Sequence, residues 1–286
     1  MLRFLVISMP FSVTTLSDCG GGSSSDPVDA DGDGYTTASD CDDADSSTFP
    51  GADEYCDGID SDCDGYTDTE GTASFIDATG GLTDLSSTLA AGSWLSPVDL
   101  EITADGELRL CGGTWYTNIT VDTATVAITD DYGSATIDGS LEGPVVTALD
   151  ADLTVENVTL TGGFDTYGGG LLVSASAVTL DTVILIDNDA TTAGGSLYID
   201  DSTVSLTDVT VTDSSAPIGG GIAAVDSVLA FDGSDVSDNA ADTYGGGMYF
   251  EDSVVDFYAS SADDNTVTEY GGAVYLYDAD MLVESA

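Results

Sequence analysis

The chain has 286 residues, enough for two domains, and carries 53 acidic residues against two basic ones, with no histidine. The resulting net charge of −51 repels phosphate backbones and anionic lipid headgroups, which argues against nucleic-acid binding and against direct binding to a membrane surface. A compact state with this self-repulsion is favoured when cations screen it. The acidic composition has two alternative explanations: a solvated acidic surface, as in salt-adapted proteins, or cation binding at defined sites.

The N-terminus carries an apolar run, residues 4–16, that ends shortly before Cys19. The run is too short to span a bilayer and is typical of an export signal, which we assign to residues 1–19. Residues 20–28 are rich in Gly and Ser and predict a flexible tether. The segment resembles a bacterial lipoprotein signal, with Asp18 where that family has a small residue. Lipidation of Cys19 and plain secretion are alternatives, and both predict an outer-membrane, cell-surface or extracellular location.

Four further cysteines form an even set, which in an exported protein predicts two disulfides. They are Cys41, Cys56, Cys63 and Cys111. Three connectivities are compatible with the sequence. Free thiols and a soft-metal thiolate cluster are the alternatives, although the chain has no histidine to complete such a cluster.

Residues 29–69 form an acidic module whose spacing predicts cation binding. Its first part matches the twelve-residue calcium loop D-x-D-x-D-G-x5-[DE], in which oxygens at alternate positions converge on one hard cation. The glycine at position six makes the sharp turn, and the residue after it offers a backbone carbonyl. The predicted ligands are Asp29, Asp31, Asp33, Tyr35 (through its carbonyl) and Asp40.

The opening half of this loop recurs later in the module. The second set of predicted ligands is Asp60, Asp62 and Asp64, closed by Asp68 or Glu70. Gly, Ser, Thr and Pro surround both loops, so the flanking helices of an EF-hand are not expected. A disordered acidic linker with accidental spacing is the alternative explanation.

The module also resembles the MopE-type metal-binding motif of bacterial surface proteins. The residues that carry this resemblance are Asp31-Gly-Asp-Gly-Tyr35, Asp40-Cys-Asp-Asp43, Pro50-Gly-Ala52, Glu54, Cys56-Asp-Gly58 and Asp60-Ser-Asp-Cys-Asp-Gly65. The name of that family implies copper. The oxygen-rich ligands favour calcium instead, because hard cations prefer oxygen.

Beyond the module, one pattern of apolar residues returns seven times, about every 26 residues. Its first position is occupied by Ile119, Val146, Leu171, Leu197, Ile222, Met248 and Val274, and further apolar residues follow two, seven and nine positions later. Apolar pairs two residues apart indicate short strands with one buried face. A fixed period of this length indicates units that stack on one another.

We therefore predict an all-β protein, a right-handed parallel β-helix preceded by the Cys/Asp-rich module. The coils occupy 119–286, with the last one incomplete. Residues 70–118 are predicted to form a cover or first coil, whose apolar residues are Trp94, Leu95, Leu108, Leu110 and Trp115. The repeat resembles right-handed β-helix proteins, including the pectin-lyase-like group and polymorphic outer-membrane proteins. The residues that carry this resemblance are Gly194-Gly-Ser-Leu197, Asn239-Ala and Gly271-Gly-Ala-Val274.

Two columns of the repeat have functional interpretations. The first is a run of aspartates at strand ends, Asp187, Asp213, Asp238 and Asp264. They could form a ladder of bound cations or act as turn-formers. The second column contains Leu172, Tyr198, Ala223, Tyr249 and Tyr275. With Tyr277 it could form an aromatic strip for sugar rings, or reflect ordinary β-propensity.

The sequence predicts an exported, surface-tethered, calcium-binding β-helix protein that acts as an adhesion or structural module. A polysaccharide-active lyase or glycosidase is the first alternative, and a non-catalytic carbohydrate-binding module is the second. A lyase needs a basic residue, and Arg109 reads as a structural residue of the cover. We therefore predict no catalytic residues; the expected partners are calcium and an extracellular polysaccharide or surface protein, with membrane contact only through a lipid anchor.

Overall fold

The computed structural model describes residues 3–6, 28–52, 59–63, 65, 71–130 and 135–285. Several predicted features lie outside these residues: most of the export signal, Cys19, Cys56, Asp64, Asp68 and Glu70. Among the described residues, no helix has the length and apolar character needed to cross a membrane.

The described residues form short strands and one short helix, α1 (Ser86–Leu89). The first strands are β1 (Arg3–Val6), β2 (Thr72–Asp77), β3 (Leu82–Asp84), β4 (Val98–Ile102), β5 (Gly106–Cys111), β6 (Thr114–Asp122), β7 (Thr125–Thr129) and β8 (Ala135–Asp138). The next are β9 (Val146–Leu149), β10 (Asp152–Glu156), β11 (Val158–Thr161), β12 (Phe164–Tyr167), β13 (Leu171–Ser174), β14 (Ala177–Asp181), β15 (Ile184–Ile186), β16 (Asp189–Ala193), β17 (Leu197–Asp200), β18 (Thr203–Thr207) and β19 (Thr210–Thr212). The last are β20 (Ser215–Ile218), β21 (Ile222–Val225), β22 (Val228–Asp232), β23 (Asp235–Ser237), β24 (Ala240–Tyr244), β25 (Met248–Glu251), β26 (Val254–Tyr258), β27 (Thr266–Val267), β28 (Val274–Tyr277) and β29 (Asp280–Glu284).

These strands build a parallel β-solenoid of about seven turns with about 25 residues per turn, which confirms the predicted fold class. A complete coil contributes one strand to each of four faces. The first face contains β9, β13, β17, β21, β25 and β28, and the second contains β10, β14, β18, β22, β26 and β29. The third contains β8, β11, β15, β19 and β23, and the fourth contains β12, β16, β20, β24 and β27. The long strand β6 joins the third face to the first, because it pairs with both β8 and β9.

The predicted apolar columns set the pairing between coils. Leu171 pairs with Val146 on one side and with Leu197 on the other. On the second face, Val178 pairs in the same way with Leu153 and Val204. These side chains are almost completely buried in one continuous core. Stacking therefore buries the apolar stripe of each coil against its neighbours, as the period of the sequence predicts.

Buried polar side chains form a second axial element. Asn188 accepts a hydrogen bond from Gly163 N at 2.9 Å through its Oδ1, and its own backbone N–H donates to Ser214 Oγ at 3.2 Å. Asn239 continues the column by accepting from Ser214 N at 3.1 Å. Each side chain thereby satisfies a backbone donor of the preceding coil that would otherwise be buried without a partner.

At the N-terminal end, β2 pairs antiparallel with β5 and β3. Of the apolar residues predicted for the cover, Leu108, Leu110 and Trp115 are buried there. Trp94 and Leu95 are 66% and 68% exposed. They stand at the tip of a turn that points away from the core. Two backbone hydrogen bonds close this turn, from Ser93 N to Ser96 O at 3.1 Å and from Ser96 N to Ser93 O at 2.9 Å.

Candidate metal centre

The first acidic loop is curled around the carboxylate of Asp29. Its Oδ1 accepts a hydrogen bond from Gly32 N at 2.7 Å, and its Oδ2 accepts from Gly34 N at 3.2 Å. Both glycines have left-handed backbone, with φ of 90° and 104°, which side-chain-bearing residues adopt at a cost. The glycines therefore allow the loop to turn back on its first acidic residue.

Asp31 and Asp33 each use one oxygen to hold the loop. Asp31 Oδ1 accepts from Asp33 N at 3.2 Å, and Asp33 Oδ1 accepts from Tyr35 N at 2.8 Å. Their second oxygens, both Oδ2, are buried and have no hydrogen-bond partner. Carboxylate oxygens of Asp29, Asp31 and Asp33 lie within 4.8 Å of one another. The sequence prediction thus placed three ligand candidates that the structure brings together.

Asp40, the predicted closing ligand, is buried, with an exposed fraction of 9%. Its Oδ1 accepts a hydrogen bond from Asp42 N at 2.9 Å, and its buried Oδ2 has no partner. Burial raises the pKa of the Asp31 carboxyl above its usual value. The negative charges of Asp33, Asp40 and Asp29 raise it further, while a hydrogen bond from the Asp33 backbone opposes the shift. Such unbalanced negative charge is what a bound cation would neutralise.

Tyr35 provides the predicted carbonyl position, and its ring has a packing partner that the sequence analysis did not identify. The ring stacks on Phe49, with centroids 5.4 Å apart and planes at 11°. Phe49 N in turn donates to Ser61 O at 2.8 Å. The aromatic pair therefore links the first loop to the second. An isolated phenylalanine in an acidic segment is the sequence signal that marks this contact.

The described part of the second loop repeats the geometry of the first. Asp60 Oδ2 accepts a hydrogen bond from Gly65 N at 3.0 Å, as Asp29 Oδ2 does from Gly34 N. Cys63, with φ of 59°, occupies the left-handed position that Gly32 occupies in the first loop. Asp62 lies between Asp60 and Cys63 in the chain. The geometry of the remaining predicted ligands, Asp64 and Asp68, lies outside the described residues.

A disulfide joins Cys41 to Cys63, with Cα atoms 5.5 Å apart. Cys111 is also disulfide-bonded. Potential ligand atoms of Asp40, Cys41 and Cys63 lie within 4.8 Å of one another and form a second candidate metal group. Because a thiolate is the form of cysteine that binds metals, the closed disulfide leaves the carboxylate of Asp40 as the anionic ligand of this group.

The aspartate columns of the solenoid lie in a different part of the fold. Asp187, Asp213, Asp238 and Asp264 have φ between 51° and 57° and stand at corners after the third face. Asp and Asn adopt this left-handed conformation more readily than most residues, which supports the turn-forming alternative. A second column of aspartates, at the corner between the first and second faces, has the same left-handed conformation: Asp150, Asp201, Asp226, Asp252 and Asp278. The cation ladder stays a prediction.

Arg109 belongs to β5 and lies 3.5 Å from Glu107, between Nη2 and Oε2. It is therefore part of the N-terminal coil, in agreement with a structural role. The β-helix fold itself is found in enzymes and in non-enzymatic proteins.

Comparison with known proteins gives a match to the family model Cu-binding_MopE, described as "Putative metal-binding motif", over residues 40–69. No curated protein and no solved structure matched the chain. The match begins at Asp40 and includes Cys41, Cys63 and the second acidic loop. The chain therefore carries a MopE-type metal-binding motif at residues 40–69, followed from residue 114 onward by a β-solenoid of about seven turns.

Proposed function

We propose that this protein is an exported, calcium-binding β-solenoid that serves as a structural or adhesion module at a cell surface. The observation that carries the metal-binding part is the set of buried carboxylate oxygens without partners, on Asp31, Asp33 and Asp40. A buried charged oxygen without a hydrogen bond is costly, and a cation removes that cost.

The donor set favours calcium over a soft metal. The first loop offers carboxylates from four aspartates and a backbone carbonyl at Tyr35, and hard cations prefer such oxygens. Copper, which the family name implies, would find no histidine in the chain and no free thiolate at Cys41 or Cys63 while their disulfide is closed. Asp29, Asp31, Asp33 and Asp40 would hold the calcium ion, and it would neutralise their mutual repulsion.

The rest of the chain supports a role as an exported rod. Seven coils at one strand separation, roughly 4.8 Å, give a length of about 30 Å. The apolar N-terminal run and the Gly/Ser-rich segment supply a signal and a tether, and a disulfide suits an oxidising compartment. Binding through a rigid scaffold of this kind requires no catalytic group.

Calorimetry on the full chain tests calcium binding. We expect the wild type to bind calcium and the double variant Asp31→Asn, Asp33→Asn to lose about one site, because two hard ligands become neutral amides. The control Asp45→Asn, Glu142→Gln has the same change in charge and lies outside the predicted ligand set. Absence of binding at millimolar calcium, or equal loss in both variants, would contradict the proposal.

A separate experiment tests the location. A tagged full chain produced in a bacterial host should be accessible to protease on intact cells, and a fatty-acid label should enter the wild type but not Cys19→Ser if the anchor is a lipid. Retention of the protein in the cytoplasm would contradict export.

A further inference from the structure

Two columns of side chains meet at the corner between the fourth and first faces. One column ends the strands of the fourth face, where strand pairing or a β-bridge places its members above one another: Tyr167, Ala193, Ile218, Tyr244 and Tyr270. The other is the first-face column predicted as an aromatic strip: Leu172, Tyr198, Ala223, Tyr249 and Tyr275. Glycines separate the two columns in these coils. At Gly245, with φ of 60°, a Cβ would collide with Met248 O, so glycine is what allows the tight turn between the columns.

Four tyrosines of two neighbouring coils form one cluster around this corner. Tyr244 stacks on Tyr270 with ring centroids 5.8 Å apart and planes at 18°, and Tyr249 stacks on Tyr275 at 5.8 Å and 6°. Tyr244 also contacts Tyr275 across the corner, at 4.7 Å. Tyr270 is 58% exposed, and the other three rings are partly exposed. We call these four residues the tyrosine cluster. Grouped aromatic rings at a protein surface are typical of interaction sites.

Carboxylates stand among the tyrosines of the first face. Tyr249 Oη donates a hydrogen bond to Glu251 Oε2 at 2.9 Å. Burial raises the pKa of Tyr249, and the hydrogen bond and the charge of Glu251 raise it further. Burial also raises the pKa of Tyr198, and the charges of Asp200 and Glu251 contribute to that shift. These rings are therefore uncharged at neutral pH and lie in the field of nearby carboxylates.

The chain supplies no cation of its own to this surface. Its two basic residues are Arg3 on β1 and Arg109 on β5, and both strands belong to the N-terminal end of the solenoid. The tyrosine cluster lies at the opposite end of the described coils. A cation at this surface would therefore come from another molecule. The net charge of −51 attracts basic partners over long distances and repels acidic ones.

We propose that the tyrosine cluster and Glu251 bind arginine side chains of a partner protein. A guanidinium is planar, so it stacks on an aromatic face while its N–H groups donate to carboxylate and hydroxyl oxygens beside the ring. The ammonium of lysine lacks this planar fork, so the surface should prefer arginine. The two stacked pairs span two coils, so a segment with several arginines would use them together. The proposal rests on the adhesion role proposed above and names its partner class; it does not require calcium binding by the acidic module.

Binding of two fluorescent peptides to the full chain tests the proposal. One peptide contains four Arg-Gly-Ser repeats and the other four Lys-Gly-Ser repeats, so both carry the same charge. Anisotropy is measured at ~150 mM salt, which screens the general attraction of the acidic surface. We expect the arginine peptide to bind about tenfold more tightly than the lysine peptide, because only the planar cation gains the stacking contacts.

Variants of the two tyrosines locate the site. Tyr270→Leu with Tyr275→Leu should weaken binding of the arginine peptide about tenfold, since leucine keeps apolar area and has no aromatic face. Tyr270→Phe with Tyr275→Phe keeps both rings and should bind within about twofold of the wild type. The matched control is Tyr116→Leu with Tyr258→Leu, on β6 and β26 and outside the cluster, and it should leave binding unchanged.

The carboxylate is tested separately. Glu251→Gln should weaken binding of the arginine peptide about threefold, and Glu156→Gln, on β10, is the control with the same change in charge. Absence of binding, equal affinity for the two peptides, or equal losses in the cluster and control variants would overturn the proposal. Loss of binding in the phenylalanine variant would overturn it as well.

A further comparison separates this proposal from the proposed function. The variant Asp31→Asn, Asp33→Asn should bind the arginine peptide like the wild type, and a loss of binding there would contradict a site on the solenoid. Retention of the protein in the cytoplasm would refute export and leave the peptide measurement unchanged. The two failures are therefore distinguishable.

Discussion

The disulfide between Cys41 and Cys63 joins the residue after Asp40, the predicted closing ligand of the first acidic loop, to the left-handed corner of the second loop. Asp40 precedes Cys41 directly, and Cys63 stands between Asp62 and Asp64. Any displacement of one loop is therefore transmitted to the other through a covalent bond. Within the described part of the module, this disulfide is the covalent link between the two acidic loops.

Breaking this cross-link should weaken calcium binding. A disulfide with a sequence separation of 22 residues restricts the unfolded chain by about 3 kcal/mol, and the module has few apolar residues to replace that restraint. We expect Cys41→Ser with Cys63→Ser to lower the calcium affinity about tenfold or more, measured by calorimetry on the full chain. The wild type treated with a reductant should lose affinity too. Unchanged affinity in the double variant would show that the loops fold independently of the disulfide.

Asp77 gives a pH-dependent contribution to the stability of the N-terminal coil. Its Oδ1 accepts hydrogen bonds from Thr79 Oγ1 at 2.6 Å, Gly81 N at 3.0 Å and Thr79 N at 2.8 Å, and these bonds lower its pKa. A carboxyl with a lower pKa in the folded state stabilises the protein above its unfolded pKa of about 3.9, and that stability disappears as the pH falls through the folded pKa.

We therefore expect Asp77→Asn to lower the melting temperature at pH 7 and to have little effect at pH 2, measured by thermal denaturation across that range. Asp99→Asn, on β4 in a different sheet, is a control without these turn hydrogen bonds. The same loss of stability at both pH values would mean that the charged form of Asp77 has no special role.

Asn239 should be among the most sensitive positions of the solenoid. It is fully buried, its Oδ1 accepts from Ser214 N, and its Nδ2 donates to Val211 O and to Ser237 O, both at 2.9 Å. Asn239→Ala leaves these groups without partners, at a cost of about 2–4 kcal/mol in the free energy of unfolding. Asn265→Ala is the matched control, because Asn265 continues the same column and is only partly buried. Equal losses at the two positions would contradict a cost that depends on burial.

The aspartate corners allow their two explanations to be separated. Replacing Asp187, Asp213, Asp238 and Asp264 by Asn keeps a residue that tolerates left-handed backbone and removes four negative charges. If the aspartates form turns, the variant should melt higher than the wild type at low ionic strength, since like charges no longer stack. If they hold cations, the wild type should gain stability from calcium at matched ionic strength, and the variant should lose that gain.

The stacked coils were predictable because their signal is periodic. Columns such as Val146, Leu171 and Leu197 identify which residues pair, since a parallel stack places equivalent positions above one another. The clustering of Asp29, Asp31 and Asp33 was predictable for a similar reason, because these residues follow a local spacing that depends on few distant contacts. Local and repeated patterns carry their structure within a short window.

Features that depend on long-range packing were not predictable. Trp94 and Leu95 are apolar, and the exposed turn that carries them follows from the backbone around Ser93 and Ser96, which has no periodic signal. The stacking of Phe49 on Tyr35 and the pairing of Cys41 with Cys63 likewise depend on how two loops meet. The register shifts between β16, β20 and β24 likewise leave no mark in the hydrophobic pattern.

A crystal structure of the full chain grown with calcium would show whether the first acidic loop is a calcium site. We expect an anomalous-scattering peak for calcium, or for a lanthanide that replaces it, in contact with carboxylate oxygens of Asp29, Asp31, Asp33 and Asp40. The Oδ2 atoms that have no hydrogen-bond partner should be among these contacts. A first loop without a peak at saturating calcium, or a metal bound by the sulfurs of Cys41 and Cys63 instead, would contradict it.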